Sequence, residues 1–429
     1  MKKYLALFLA LVMTLALVAC GGGSTSSGGD TGSTTTTTTP STPSTPSTSS
    51  GGSDAAPAAS GLKVGAILVG DENEGYTYAH IEGIRKAMSA AGLGDSDVVW
   101  FYNIPENEEC YDKCIEAIQQ GCNLIITNSY SHQEFAQLAA SEHPEVEVVA
   151  MTGDGALKSG LANFHNAFNM TFESRYVSGI VAGMKLKELM DAGKVTDPYI
   201  GYVGAYPYAE VVSGYTGFFL GIKSIVPTAH MDVQYTNSWF DLQAEAQTAE
   251  ALMARGCVII GQHADSTGAP SAIQSAKDNG ATVYSVGYNI DMLNVAPTAA
   301  LTSSTNDWSV FYTFLFNAAK NGDPIPTDWS EGYETGAVAI TPLGPEVAAG
   351  TKEAVDAAEA AIKAGTLHVF DTSTFTVGGA PVTSALTFDS DGDWVNDTNE
   401  GIVDGYYHES EYISAPSFSL RIDGITELN

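Results

Sequence analysis

One arrangement occurs twice in this chain and restricts its fold more than any other feature. Val64-Gly-Ala-Ile-Leu-Val69 is an apolar run of buried-strand length, followed by a Gly-containing loop and an amphipathic stretch from Thr77 to Ala91. Tyr199-Ile-Gly-Tyr-Val-Gly204 repeats it, with a loop through Tyr206-Pro207 and a helix expected from about Ala209 to Ile225. Farther along each half, Ile115-Glu-Ala-Ile-Gln-Gln-Gly-Cys-Asn-Leu-Ile-Ile126 is echoed by Ala251-Leu-Met-Ala-Arg-Gly-Cys-Val-Ile-Ile260. Each places a helix, a Gly-Cys stop and a strand at the same point, as a glycine just past a helix end would. Any α/β protein shows some self-similarity, but the shared Gly-Cys position and equivalent order favour a duplicated architecture. Strand-helix-strand units at this rhythm build parallel sheets, so two similar α/β lobes are expected. In open parallel sheets, ligands collect at the carboxyl ends of the strands, which makes the loops after each strand the place to look for function.

The first 60 residues are of another kind. Met1-Lys2-Lys3, the apolar run Tyr4 to Val18 and Leu17-Val18-Ala19-Cys20 form the pattern of a bacterial lipoprotein signal peptide. The apolar run is shorter than the ~20 residues that span a bilayer. Residues 1–19 are therefore expected to be removed and Cys20 lipidated, anchoring the protein to the outer face of the cell membrane. An ordinary secretory signal with an incidental cysteine is the alternative, and the position of Cys20 at the cleavage point, with a tether directly after it, argues against it. Residues 20–60 are almost entirely Gly, Ser, Thr, Pro and Ala, with the run Thr34 to Thr39 and repeated Pro-Ser-Thr triplets. Such a segment buries no core and, at about 40 residues, spans roughly 35 Å as a flexible tether. Its Ser and Thr density would suit O-glycosylation.

The stretch from Gly61 to Asn429 is long for one compact core, again favouring two lobes. The formal charge of −32 becomes −34 once Lys2 and Lys3 leave with the signal peptide, and no basic block interrupts it. This argues against nucleic acid or anionic lipid as the partner. Cys110, Cys114, Cys122 and Cys257 give no disulfide framework and lack the His or Cys partners of a zinc site, so plain buried or half-buried thiols are expected.

The strand-end loops are polar and aromatic. They run Asp71-Glu-Asn73-Glu-Gly75-Tyr76-Thr77-Tyr78-Ala-His80, Thr127-Asn128-Ser129-Tyr130 and Met151-Thr152-Gly153-Asp154 in the first half. The second half supplies Ala205-Tyr206-Pro207-Tyr208-Ala209-Glu210, Trp239-Phe240-Asp241, Gln262-His263-Ala264-Asp265 and Gly287-Tyr288-Asn289-Ile290-Asp291. Rings beside Asn, Asp and His clamp a flat polar ring and read hydroxyls. Taken singly, each is more often a surface or capping residue; recurrence at successive strand ends favours ligand contact. Enzymatic readings have little to stand on: there is no phosphate-binding Gly-rich loop with Lys-Ser/Thr, no Gly-x-Ser-x-Gly elbow and no His-Glu-x-x-His. His263 and Asp265 lack a neighbouring nucleophile in sequence and read as ligand-binding or loop-capping groups.

The chain resembles the basic membrane lipoprotein, or BMP, family of ABC-importer substrate-binding proteins, whose characterised members bind purine nucleosides. Gly75 to His80, Asn163-Phe164-His165 with Arg175 to Gly183, Gly201 to Val211, Ser238 to Asp241, Gln262 to Gly268 and Gly287 to Asp291 carry the resemblance, which covers Lys63 to about Leu367. It implies a type I periplasmic-binding-protein fold: two Rossmann-like lobes with parallel sheets, joined at a hinge by three crossovers and closing on a ligand without chemistry. On that basis residues 61–168 and 291–322 are expected in the first lobe, and 169–290 and 323–367 in the second. By position, the resemblance implies that Tyr76 stacks on a base and that Asn73 stands where the family has a first-loop aspartate. It also sets Trp239 and Asp241 in an aromatic-x-Asp loop and Asp291 near the ribose. Thr302 to Trp308 lacks the lysine that many members have there, which leaves the ligand contacts at that end open; Trp308 is either a second stacking face or a buried hinge residue. With Tyr78, Asn128, Tyr206, His263, Asp265 and Asn289 from the strand ends, these form the expected ligand site. The implied function is that of a monomeric extracytoplasmic binding lipoprotein, needing no cofactor, that captures a purine nucleoside or similar ligand for an ABC permease. A sensor subunit for a membrane receptor and a nucleoside hydrolase are the alternatives.

Residues 368–429 read as a β-rich appendage packed on one lobe. Within it, Asp389, Asp391, Asp393, Asp397 and Glu400 stand at positions 1, 3, 5, 9 and 12 of a calcium loop, with Trp394 where glycine is usual. A structural calcium site and a metal-free acidic hairpin are both open readings, and the missing glycine favours the hairpin.

Overall fold

The computed structural model describes residues 61–393 and 395–429; the signal peptide, Cys20 and tether expected within residues 1–60 lie outside the described residues, as does Trp394. Strands and helices alternate first through β1 (Val64–Ile67), α1 (Gly75–Ala91), β2 (Val98–Phe101), α2 (Glu108–Gln119), β3 (Leu124–Thr127), α3 (Gln133–Glu142), β4 (Glu147–Met151), a short α4 (Ala156–Ser159) and β5 (Phe164–Ala167). They resume through α5 (Thr171–Asp191), β6 (Tyr199–Gly204), α6 (Ala209–Ile225), β7 (His230–Tyr235), α7 (Leu242–Ala254), β8 (Ile259–Gln262), α8 (Gly268–Asp278), β9 (Tyr284–Tyr288) and β10 (Ala300–Asn306). After these come α9 (Ser309–Asn321), β11 (Asp328–Trp329), β12 (Val338–Ile340) and α10 (Thr351–Lys363).

The strands form two sheets of like order. One runs β11-β5-β4-β3-β1-β2 and the other contains β10-β9-β8-β6-β7, so each half places its first two strands, its third, fourth and fifth in the same sequence. These pairings are all parallel. Both faces are covered: Val64, Ala66 and Leu68 pack against α1 and α9 on one side of the first sheet, while Ile67, Ile125 and Ala150 pack with α2 and α3 on the other. Burial on both sides is why these strands read as continuous apolar runs. The Gly-Cys echo is a repeated helix stop. Gly121 and Gly256 take φ of 87° and 104°, and the next amides, Cys122 and Cys257, bond the carbonyls of Ala117 and Leu252 at 3.0 and 3.2 Å. A left-handed turn there suits glycine. All four described cysteines are buried free thiols.

The lobe boundaries differ from expectation at two of the three crossovers. The chain leaves the first sheet after β5, as the sequence suggested, but β10 pairs with β9 in the second sheet, so the return falls after Asn306 and not at residue 291. Thr302-Ser-Ser-Thr-Asn306 does not look like a core strand, yet it is mostly buried. Its polar groups are matched: Thr302 Oγ1 donates to the Thr341 carbonyl at 2.8 Å, and the Ser304 and Ser174 hydroxyls lie 2.7 Å apart. The third crossover also moves, because β11 joins the first sheet beside β5, and the chain returns to the second sheet with β12, which pairs antiparallel to β10. The crossovers are tied together: Asn169 Nδ2 donates to Asn306 Oδ1 at 3.1 Å and to the Ala337 carbonyl at 3.0 Å.

The C-terminal region has five strands of two or three residues among longer loops: β13 (Leu386–Phe388), β14 (Thr398–Glu400), β15 (Ile402–Val403), β16 (Tyr406–Tyr407) and β17 (Ile425–Glu427). β13 and β14, and β15 and β16, are antiparallel pairs, and β17 extends the second sheet beside β7. Phe370, Phe375, Tyr407 and Phe418 belong to the second lobe's core. The appendage is not confined to that lobe, however, since Ser414 and Asp389 bond to Asp328 and Lys158 of the first.

Candidate functional site

A cavity of about 440 Å³ lies between the strand ends of the two sheets, within the size range of small-molecule sites. The lobes touch beside it: a Cβ added at Gly75, the first residue of α1, would lie 3.4 Å from Ile290 and 3.5 Å from the Asp265 carbonyl oxygen of the opposite lobe. The arrangement is a closed one.

The first lobe contributes a wall of packed rings. Tyr76, in the first turn of α1, lines the cavity, and its hydroxyl donates to the Asn128 carbonyl and lies 3.3 Å from Thr152 Oγ1. Its ring meets His80 edge-on at 4.6 Å, and His80 stacks on Trp308 at 4.5 Å and 17°. Trp308 sits where α1 and α9 approach closely, since a Cβ on Gly83 would come within 2.8 Å of the Trp308 Cβ. Burial holds His80 far below its usual range, at about 3, so it packs as a neutral ring. Asn128 holds the β1 loop, accepting from the Val69 amide at 2.8 Å. Asp71 accepts from the Asn73 amide and from the side chains of Asn103 and Asn73, which keep its carboxyl below the usual range.

The second lobe contributes rings with ionisable groups behind them. Tyr206 stacks on Tyr208 at 5.1 Å and meets Trp239 at 5.3 Å and 62°. Glu210, in the first turn of α6, lies 3.2 Å from His263 Nε2. Burial pushes Glu210 up to about 7, with Arg175 pulling it back, while burial and Arg175 together hold His263 neutral. The Asp265 carboxyl accepts from Asn289 Nδ2 at 2.6 Å and is pushed well up by burial and by Glu74, Glu245 and Glu210. Arg175 is almost wholly buried on α5, 3.7 Å above the Tyr288 ring, and donates to the Gln262 carbonyl at 2.5 Å.

Of the residues expected from sequence, Asn73, Tyr76, Tyr206, Trp239, Asp265 and Trp308 line the cavity. Trp308 is both of the things left open, a buried residue at a crossover and one face of the cavity. Asn128, His263 and Asn289 stand one layer behind and hold lining groups in place. Three expectations are corrected. Tyr78 is two residues from Tyr76 on α1, hence on the opposite face, and is 40% exposed. Asp241 caps α7, accepting from Gln243 and Ala244 amides at 3.0 and 2.9 Å. Asp291 caps a single turn at Met292–Asn294 through the Leu293 amide at 2.9 Å. In both, the capping bonds fall on Oδ1, and neither residue lines the cavity. The sequence reading passed over Glu74, Glu106, Tyr130, Phe168, Glu210 and Tyr288, which also line the cavity. Position at a strand end could have singled out Glu74, Tyr130, Glu210 and Tyr288; nothing comparable marks Glu106 or Phe168.

The acidic loop gathers only part of its set. Carboxylate oxygens of Asp389, Asp391 and Asp393 lie within 4.8 Å of one another. Asp397 instead accepts from Ser390 at 2.9 and 2.7 Å, and Glu400 from Ser384, Ala385 and Ile402 at 2.5 to 2.9 Å. The β13-β14 pairing turns both carboxylates toward their own hairpin, which leaves three gathered side chains where calcium takes six to eight oxygens.

Two lobes of like sheet order, three tied crossovers and a ring- and carboxyl-lined cavity between them define a two-lobed solute-binding protein. The sequence profile of the family described as Bmp, ABC transporter substrate-binding protein PnrA-like, matches residues 63–367, and the chain belongs to that family. A purine-binding protein of Brucella abortus is 32% identical over 319 residues, covering 74% of this chain and 85% of the relative. Basic membrane protein A of Borreliella burgdorferi is 28% identical over 191 residues, 44% of this chain and 52% of that protein. Among solved structures, an ABC transporter solute-binding protein from Aeropyrum pernix K1 superposes with a TM-score of 0.60 at 16% identity, covering 72% of this chain and 93% of that one. One from Conexibacter woesei gives 0.57 at 20% identity, covering 72% and 98%. The chain is thus a substrate-binding protein and not an enzyme. No described helix is long and apolar enough to cross a membrane.

Proposed function

We propose that this protein captures a purine nucleoside, or a small polar ligand with a similar flat ring, and delivers it to an ABC permease from a lipid anchor at Cys20. The observation that carries the reading is the make-up of the cavity walls: Tyr76 and Trp308 of one lobe and Tyr206 and Trp239 of the other line one cavity together with the carboxyls of Glu210 and Asp265. Aromatic faces hold a planar ring by stacking, and carboxyl groups bond ring N–H and sugar O–H groups. The purine-binding relative supports the same ligand class. Incubating the purified protein with adenosine, guanosine or inosine, and with glucose as a control that has a sugar ring but no base, tests it. A raised melting temperature with nucleoside recovered unchanged is the expected result. Nucleosides that leave the melting temperature unmoved, or free base released at enzymatic rates, would overturn it. The anchor is tested separately: Cys20→Ser should release the protein from the membrane fraction.

A further inference from the structure

The C-terminal region lies beyond the family-matched residues 63–367, yet it is built into the second lobe. β17 continues that lobe's sheet, Phe370 and Phe418 stack at 4.2 Å in its core, and Glu427 accepts from the hydroxyls of Tyr215 and Tyr235 at 2.7 and 2.6 Å. Any motion of the second lobe therefore carries this region with it.

From that base it reaches the first lobe at two places. Ser414 donates from its amide and its hydroxyl to the two carboxylate oxygens of Asp328, each at 2.5 Å. Asp328 is on β11, just before the third crossover, so this contact sits near the hinge. The second reach is farther along the rim: Lys158 of α4 lies 3.7 Å from Asp389, with its ammonium 5.3 Å from the Phe388 ring centre. Between the two reaches, the region walls a second cavity of about 610 Å³. This chamber shares Tyr130, Thr152, Phe168, Glu210 and Trp239 with the first, so the two adjoin across those side chains.

We propose that the C-terminal region is a clasp: anchored in the second lobe and bonded to the first through Asp328 and Lys158, it closes one side of the cleft, favours the closed arrangement and slows ligand release. Opening a two-lobed protein at its crossovers rotates one lobe against the other. The Lys158–Asp389 ion pair, which spans the lobes farther from the hinge, must then break or stretch, while the Ser414–Asp328 bonds near the crossover hold the clasp's base in place. Bonds present only in the closed form shift the opening equilibrium by their full differential strength. Asp328, Ser414, Lys158 and Asp389 would thereby act as positioning residues, setting the angle between walls they do not themselves form around the inner cavity.

The retention half of this proposal rests on the cleft being the ligand site; the closure half does not, and the experiment separates them. Spin labels on exposed residues of each lobe report the interlobe distance in ligand-free protein for wild type, Lys158→Ala and Asp328→Ala/Lys158→Ala. Because Lys158 is on the surface, its variant keeps the fold. The double variant should show a longer and broader distance distribution, and it should release bound nucleoside roughly three- to thirtyfold faster. In a double-mutant cycle read out as interlobe distance, Asp389→Ala and Lys158→Ala should be non-additive because they share one ion pair, even though Asp389 also accepts from the Gly392 amide at 2.7 Å. Unchanged distances and release rates in the folded double variant would overturn the clasp. If no nucleoside binds wild type, the distances alone still decide closure, and only the ligand assignment falls.

Discussion

The two lobes share a sheet order and differ in what they place at the strand ends. The first offers rings packed on rings, Tyr76 on His80 on Trp308, with neutral amides behind them. The second sets Glu210, His263 and Asp265 around a buried Arg175, just behind Tyr206 and Trp239. Topology decides that a site forms between parallel sheets; the loop residues decide its chemistry. Both lobes put carboxyls on the cavity, Asp71, Glu74 and Glu106 from the first and Glu210 and Asp265 from the second; what sets them apart is the continuous ring stack behind the first wall and the buried Arg175 and His263 behind the second.

The largest test of that contrast is stability against pH. Glu173, Glu210, Glu245 and Glu409 are each pushed up to about 7, burial being the first cause every time, and all four lie in the second lobe or in the region packed on it. Glu74 and Asp328 of the first lobe move the same way, so the contrast is one of number. An acid whose folded pKa is raised binds its proton more tightly when folded. Its contribution is therefore fully present below about pH 4.5 and is lost as pH rises toward 7. Each group is worth on the order of 1–3 kcal/mol over that window. The melting temperature should fall between pH 5 and 7.5, with second-lobe amides losing hydrogen-exchange protection first. Glu210→Gln and Glu409→Gln should flatten the fall. A melting temperature constant across this range, or equal loss in both lobes, would erase the contrast.

Ligand affinity gives the next effects. Asp265→Ala removes a carboxyl from the cavity and strands Asn289, and should weaken nucleoside binding tenfold or more, on the order of 1.5–3 kcal/mol. Tyr76→Ala removes one stacking face and should cost several-fold, about 0.5–1.5 kcal/mol beyond lost area. Tyr76→Phe should bind almost as wild type, because the hydroxyl is engaged within its own lobe by the Asn128 carbonyl. Calorimetry on the three variants ranks the walls; Tyr76→Phe losing as much as Tyr76→Ala would show that the hydroxyl, and not the ring, meets the ligand.

Much of this was legible in sequence, for physical reasons. Doubly covered parallel strands must be apolar throughout, and a helix that stops before a strand needs a left-handed residue, so Val64–Val69 and the two Gly-Cys stops announced themselves. β10 did not, because a strand of Thr, Ser and Asn is stabilised by hydroxyl partners that are distant in sequence, Ser174 and Thr341. The lobe boundaries were misplaced for that reason. Arg175 belongs to a block that resembles the family, but its role depends on its side chain reaching from α5 to the Gln262 carbonyl and the Tyr288 ring at the ends of β8 and β9, which no spacing reveals. The walls were found as loops more readily than as residues: a carboxylate after a strand can face a ligand or cap the next turn, and composition is the same in both cases.

Asp241 and Asp291 put that ambiguity to the smallest and sharpest test. Both stand in second-lobe strand-end loops, as Asp265 does, but their carboxylates accept from amides two or three residues ahead, whereas Asp265 lines the cavity. Losing such a cap costs about 1 kcal/mol, a shift of about 2 °C in melting temperature for a protein of this size. Asp241→Ala and Asp291→Ala should each show that loss with nucleoside affinity unchanged, and Asp241→Asn and Asp291→Asn should restore stability, since the amide oxygen still accepts. The same alanine change at Asp265 should do the reverse, moving affinity far more than a cap variant does. If Asp291→Ala weakens binding as Asp265→Ala does while its melting temperature holds, the carboxylate turns toward the ligand on binding, and the second lobe's reading surface extends beyond the cavity wall to the Met292–Asn294 turn.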